Sequence, residues 1–253
     1  MLRSSFIFYV ILPLVGLEGY LLSVHVLGAD RNSALFAENG LFELGTAAFF
    51  FLAGSLAFCL CLRSRGVLAN RCRAYFLAFA LAGWFVSLEE LSYGQHLFGW
   101  SSPQWFAANS SKQEFNLHNL HGDRLSEILR ESANVVFPVG CVVLPLVFMV
   151  RDRSGQPDHW SYYVLPKTEL LTSVLVGQAL TVLENISKMT IGSSMLVRPG
   201  EVQEFFWAMG TAIYASVMYR RLVSGATAAT VDDRADDGPQ VIPFERRQIR
   251  KAA

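Results

Sequence analysis

Residues 40–62 read GLFELGTAAFFFLAGSLAFCLCL, with Glu43 the one charged side chain in the run. An α-helix rises about 1.5 Å per residue, so about 20 apolar residues are needed to cross roughly 30 Å of hydrocarbon. A barrel strand would alternate apolar and polar positions, whereas this run is continuously apolar. Lipid offers the backbone no hydrogen bonds, so only helices and closed barrels can span it. The stretch therefore predicts a membrane-spanning α-helix.

Five further blocks of similar character run approximately from Ser5 to Gly28, Ala74 to Phe98, Ala133 to Val150, Tyr162 to Asn185 and Val202 to Leu222. Across its 253 residues the chain is 52% hydrophobic and only 17% charged, more apolar than a soluble chain of this length. Its mean hydropathy is +0.33. The expectation is an all-α, polytopic transmembrane bundle of about six spans over residues 1–222. The first block is too long for a signal peptide, contains Pro13 and Glu18, and ends without a small-x-small cleavage site, so it reads as a retained helix.

The chain has 21 basic and 21 acidic residues, and zero net charge gives no basis for nucleic-acid binding. Their placement is more informative. Arg63, Arg65, Arg71 and Arg73 crowd the second connection, Arg151, Arg153 and Lys167 the fourth, and Arg220 and Arg221 close the last block. Cytoplasmic loops of membrane proteins carry the excess of Lys and Arg, which places these ends inside and, with an even number of spans, both termini in the cytoplasm. The expected location is the bacterial inner membrane. Cys59, Cys61, Cys72 and Cys141 show no metal-binding spacing, and read as packing thiols with no disulfide framework.

Outside the membrane the sequence predicts a long outer loop, 99–131, and a disordered cytoplasmic tail, 223–253, low in large apolar residues. Within the loop, Ser102 and Pro103 suit the cap and first position of a short helix, which Trp100, Trp105 and Phe106 would anchor at the headgroup level. Leu125, Ile128 and Leu129 recur at helical spacing, predicting an amphipathic lead into the fourth block.

The polar groups gather toward one side. A carboxylate near the bilayer centre costs about 2.5–3.5 kcal/mol, so such residues usually face the bundle interior and often serve function. Glu18 falls near mid-depth of the first block, on one face with His25, while Glu43, Glu89, Glu90, Glu184 and Glu204 fall in the outer halves or ends of four others. On a continuous helix Glu89 would share a face with Ser92 and His96. Gln178, Thr181 and Asn185 form a stripe beside Glu184, and NLHNLHGD, 116–123, adds Asn116, His118, Asn119 and His121 in a segment able to fold back over these ends. For Glu43, Glu201 and Glu204 a solvated first-turn carboxylate, favoured by the helix dipole, explains the position equally well.

These groups outline an outward-facing Glu/His pocket. Glu89, Glu90 and His118 are the candidates for acid–base chemistry. His96, His118 and His121 are the candidate metal ligands, for which zinc is the fitting ion, with Glu89 or Glu90 completing the set. Glu18, Glu43, Ser92, Gln95, Asn116, Asn119, Glu184, Asn185 and Glu204 are candidates for lining the pocket. No HExxH, P-loop, GxSxG or CxxC motif is present, so the chemistry rests on a constellation.

EELSYGQHLFGW, 89–100, with QEFNLHNL, 113–120, resembles an uncharacterised family of bacterial polytopic inner-membrane proteins carrying Glu-Glu-x-Ser-(Trp/Tyr)-Gly-Gln followed by Asn-Leu-His-Asn. The resemblance covers roughly residues 38–121 and implies a membrane fold with a shared outer site. Glu89 and Glu90 are also similar to the opening of the Glu-Glu-x-x-x-Arg motif of CAAX-protease-type intramembrane peptidases. There Gly94 stands where that family has Arg, and Phe115 to His118 is one residue shorter than its Phe-x-x-x-His spacing, which leaves an analogy only.

Three functions fit the sequence: a membrane-embedded hydrolase or transferase acting on a lipid-linked or peptide substrate, a proton-coupled transporter using Glu18 as a relay, and a structural or accessory membrane protein. Interhelical hydrogen bonds in membranes are worth only about 0.6 kcal/mol on average, so helix glue alone poorly accounts for five glutamates.

Overall fold

A computed structural model describes residues 2–27, 40–64, 70–110, 114–117, 120, 124–143, 147, 164–166, 168–193 and 195–235. Helices dominate them: α1 (Leu2–Leu27), α2 (Leu41–Arg63), α3 (Asn70–Glu90), the short α4 (Gln95–Phe98) and α5 (Gln104–Asn109), α6 (Arg124–Pro138), α7 (Leu171–Ile191) and α8 (Pro199–Ala235). A π-helical turn at Val139–Val143 follows α6. Among the described residues there is no strand, only an isolated bridge between Ser110 and Leu120.

Among the described residues three helices are long and apolar enough to cross a membrane, at Phe8–Val26, Leu41–Arg63 and Asn70–Glu90. Their outward faces carry exposed Ile11, Leu14, Leu22, Phe51, Leu52, Leu81 and Phe85, a surface that water would not tolerate and lipid requires. These features mark a helical membrane protein.

The core forms around α8. Val202, Phe206, Ala208 and Ala215 are fully buried, because α2, α7 and α1 cover this helix on different sides and an all-round apolar helix belongs in an interior. Phe205 packs edge-to-face on Phe42 and Phe49 of α2, with ring centroids 5.3 and 5.4 Å away. α2 and α3 approach closely through facing glycines. A Cβ on Gly83 would stand 3.0 Å from both Gly54 Cα and the Phe50 carbonyl oxygen, so the backbones touch where any larger residue would separate them. Ser87 Oγ, donating to the Ala47 carbonyl at 2.8 Å, ties the same pair.

At the arginine-rich end, Arg221 Nη2 meets Glu169 Oε1 at 2.7 Å, Arg221 Nη1 donates to the Leu165 carbonyl at 3.1 Å, and Arg63 donates to the Tyr219 hydroxyl. Cys61 and Cys72 are buried free thiols, while Cys59 is exposed.

Several expected boundaries move. The third block was expected to be helical to Phe98, but α3 ends at Glu90. Helix α5 begins at Gln104 with Pro103 in the cap position, so Ser102 does not cap it. The amphipathic lead and the start of the fourth block form one helix, α6, which gives way to the π turn at Pro138. α8 continues past Leu222 to Ala235, into the expected tail, of which 236–253 lie outside the described residues.

Candidate functional site

The site begins where α3 stops. After Glu90 the backbone turns left-handed at three successive residues, Ser92 (φ 45°), Tyr93 (φ 51°) and Gly94 (φ 81°). For residues with a Cβ this region costs about 1–2 kcal/mol each, so surrounding contacts must hold the turn. At Gly94 a Cβ would lie 2.9 Å from the Phe98 ring, which leaves room for glycine alone.

Those contacts come from segment 114–117. Glu89 Oε2 accepts from the Leu117 N–H at 2.9 Å, and Asn116 Nδ2 donates to the Glu89 carbonyl at 3.1 Å. Gln95 Oε1 accepts from the Phe115 N–H at 2.7 Å and from Ser102 Oγ at 3.1 Å. Ser92 Oγ donates to Glu114 Oε2 at 3.3 Å, and His96 Nε2 lies 3.1 Å from Glu114 Oε1. Phe115 sits among Tyr93, Trp100 and Phe106, its ring 4.5 Å from that of Phe106. Burial, then the adjoining Glu89 carboxylate that its hydroxyl hydrogen-bonds, push the Tyr93 pKa up and keep that hydroxyl a donor. The EELSYGQH side chains therefore grip the EFNL segment through its Phe115 and Leu117 N–H groups and the Glu114 carboxylate, forming a clamp over the helix end.

Beneath the clamp lies a cavity of about 750 Å³ between α3, α6 and α8, lined at its far end by Leu170 and Pro166. Its walls are apolar, with Phe79, Val86, Val136, Phe137 and Trp207 among them, the last two rings stacked 4.9 Å apart. Among the described lining residues the charged ones are Glu89, Glu90, Glu204 and Arg130. Glu90 is half-buried and lies within the electrostatic reach of Glu204, Glu43, Glu201 and Glu89, in that order of strength. At the opposite end the Tyr75 and Tyr214 hydroxyls meet at 2.9 Å. Phe85 and Val136 line the cavity yet are exposed, which marks an opening between α3 and α6 on the flank of the bundle.

The expected site residues thus separate into groups. Glu89, Glu90 and Glu204 reach the cavity, and Glu43 lies within electrostatic reach of Glu90. Ser92, Gln95, His96 and Asn116 belong to the clamp; the expected shared helical face of Glu89, Ser92 and His96 is broken at Leu91, but all three converge on 114–117. Glu184 is buried elsewhere, 2.9 Å from Lys188 Nζ and near Tyr20, whose hydroxyl exchanges hydrogen bonds with the Val197 backbone. Asn185 is exposed. Glu18 is also exposed, in a separate shallow groove with His25 and the leucines of α1.

His118, Asn119 and His121 lie outside the described residues. Among the described residues no group of three or more His, Cys, Asp and Glu forms a metal site, and His96 is engaged with Glu114.

Two participants were not anticipated from sequence. Glu114 carried its signal in its place at the head of EFNLHN, facing a motif rich in donors. Arg130 read as one more charge on an amphipathic segment, and only the approach of α6 to α8 brings it to the cavity.

Fold and site together define a helical membrane protein with a clamp at one helix end and an acid-tipped apolar cavity below it. Comparison of the chain with protein-family models, with curated proteins and with solved structures gave no match.

Proposed function

We propose that this chain is a multi-pass protein of the bacterial inner membrane, with both termini cytoplasmic, that acts as a membrane-embedded hydrolase or transferase on a lipid-linked substrate. The observation that carries this reading is the cavity, whose apolar walls end at Glu90 and Glu204. An apolar chamber of about 300–1,000 Å³ with a few convergent polar groups is the usual form of a small-molecule site. Two neighbouring carboxylates at its polar end are suited to divide the tasks of acid and base, since like charges at close range favour sharing one proton.

Six spans are supported by α6, α7 and α8 following the three most apolar helices, and by arginines collected at one end with glutamates at the other. The EELSYGQ and NLHN segments support membership in the family of polytopic inner-membrane proteins that they resemble. In that reading Glu89 positions the 114–117 segment, and Glu90 with Glu204 faces substrate. A zinc ion held by His96, His118 and His121 would supply an activated water.

An accessory role draws on a different observation, the clamp itself, in which Glu89, Ser92, Gln95 and His96 serve to hold a loop. Turnover separates the two. Purified protein in nanodiscs is incubated with total inner-membrane lipid extract and the lipids are profiled by mass spectrometry. The enzyme reading expects a species converted by wild type and spared by Glu90→Gln and by Glu204→Gln. Identical lipid profiles with wild type and both variants would overturn it.

A further inference from the structure

Resting on that reading of the cavity, we infer that its ligand is an amine-bearing phospholipid, whose acyl chain lies along α3, whose phosphate meets Arg130 and whose ammonium meets Glu90 and Glu204. The depth sets the tail. From Tyr75 to Glu90 the α3 wall covers sixteen residues, about 22 Å of helix. One leaflet contributes about 15 Å of the hydrocarbon thickness, so the chamber accommodates a full-length chain with its head at the acidic end. The opening between α3 and α6, marked by exposed Phe85 and Val136, admits such a molecule sideways.

The charges set the head. Arg130 makes no ion pair among the described residues, although it lines the same cavity as three glutamates. Its Nη1 lies 4.0 Å from where a Cβ on Gly200 would stand, beside the first turn of α8. A helix start and a guanidinium together favour a phosphate. A purely anionic head would bring further negative charge against Glu90 and Glu204. A purely cationic head would leave Arg130 unmatched. A zwitterion with its two charges a few bonds apart satisfies both. A second polar group also faces an incomplete environment: Trp207, another lining residue, is 3% exposed and its indole N–H has no hydrogen-bond partner among the described residues.

Native mass spectrometry of the full chain tests this, with phosphatidylethanolamine and phosphatidylglycerol of identical acyl chains as probes. Wild type should hold the ethanolamine lipid roughly tenfold more tightly, the scale of one charge-assisted contact. The Glu90→Gln/Glu204→Gln double variant should bring the two lipids to parity, Arg130→Gln should weaken both, and Ala82→Trp, which fills the chamber, should release both. Equal retention of the two lipids by wild type, with loss of both in Ala82→Trp, would overturn the amine assignment and leave the cavity reading standing, as would a preference for the glycerol lipid. No lipid retained by wild type, or Ala82→Trp retaining as much as wild type, would overturn both.

Discussion

Glu89 and Leu117, 28 positions apart in the chain, are joined by a 2.9 Å hydrogen bond from the Leu117 N–H to the Glu89 carboxylate. Adjacent Glu90 lines the cavity without a bond to that segment among the described residues. Two consecutive glutamates at the last turn of one helix thus have different partners, and their substitutions should separate.

Glu89→Ala removes the acceptor for Leu117 and for Tyr93. The expected cost is about 1.5–3 kcal/mol, the usual worth of a hydrogen bond to a charged group. It should be read as a lower thermal midpoint in detergent and faster proteolysis of the outer loop. Glu89→Gln keeps a carbonyl oxygen and should lose much less. Glu90→Gln should leave the midpoint and the proteolysis rate near wild type.

Gln95 accepts from both the Phe115 N–H and Ser102 Oγ, so it fixes two stretches of loop with one oxygen. Gln95→Leu, similar in size and without an acceptor, should cost about 1–3 kcal/mol. Gln95→Glu should retain the loop, which hydrogen exchange at Phe115 would report as slow in the Glu variant and fast in the Leu variant.

Gly83 faces Gly54 across α2 and α3 at backbone contact. Gly83→Val should force the helices apart at a cost of about 1–3 kcal/mol or more, the usual penalty of overpacking. A thermal midpoint equal to wild type would show that the two helices are not in contact there.

At Gly94, where φ is +81° and the Phe98 ring crowds the missing Cβ, Gly94→Ala should destabilise by about 1–2 kcal/mol from the left-handed penalty alone. Pairing it with Phe98→Ala removes the crowding but not the backbone cost, so only part of the loss should return in thermal unfolding.

The apolar spans were legible because crossing lipid imposes length and continuity on a sequence, as residues 40–62 display. The end of α3 was not. Leu91 through Phe98 has the composition of a continuing helix, and only Gly94 hints at a left-handed turn that depends on bonds from a segment some twenty residues away. The gathering of Glu90, Glu204 and Glu43 was legible from their places at helix ends, since antiparallel helices bring such ends together. Their separation from Glu18, Glu184 and Asn185 was not, because the face a residue presents depends on which neighbours its helix packs against, and α1 meets the bundle only through a narrow strip. The clamp escaped pattern analysis for a related reason: its bonds to Phe115 and Leu117 run from side chains to loop N–H groups, and backbone groups leave no trace in residue type.

The central claim is that a lipid chain occupies the space between α3 and α6. Photo-crosslinking with a phospholipid carrying a diazirine in its acyl chain, followed by exchange into detergent to remove loosely held lipid and peptide mapping of the surviving adducts, addresses it directly. Adducts should concentrate at 79–86 of α3 and at 133–140 of α6 and the π turn that follows it, and be lost in Ala82→Trp. Adducts spread evenly over outward positions such as Phe51 and Leu52 of α2, with none enriched at the cavity wall, would contradict it.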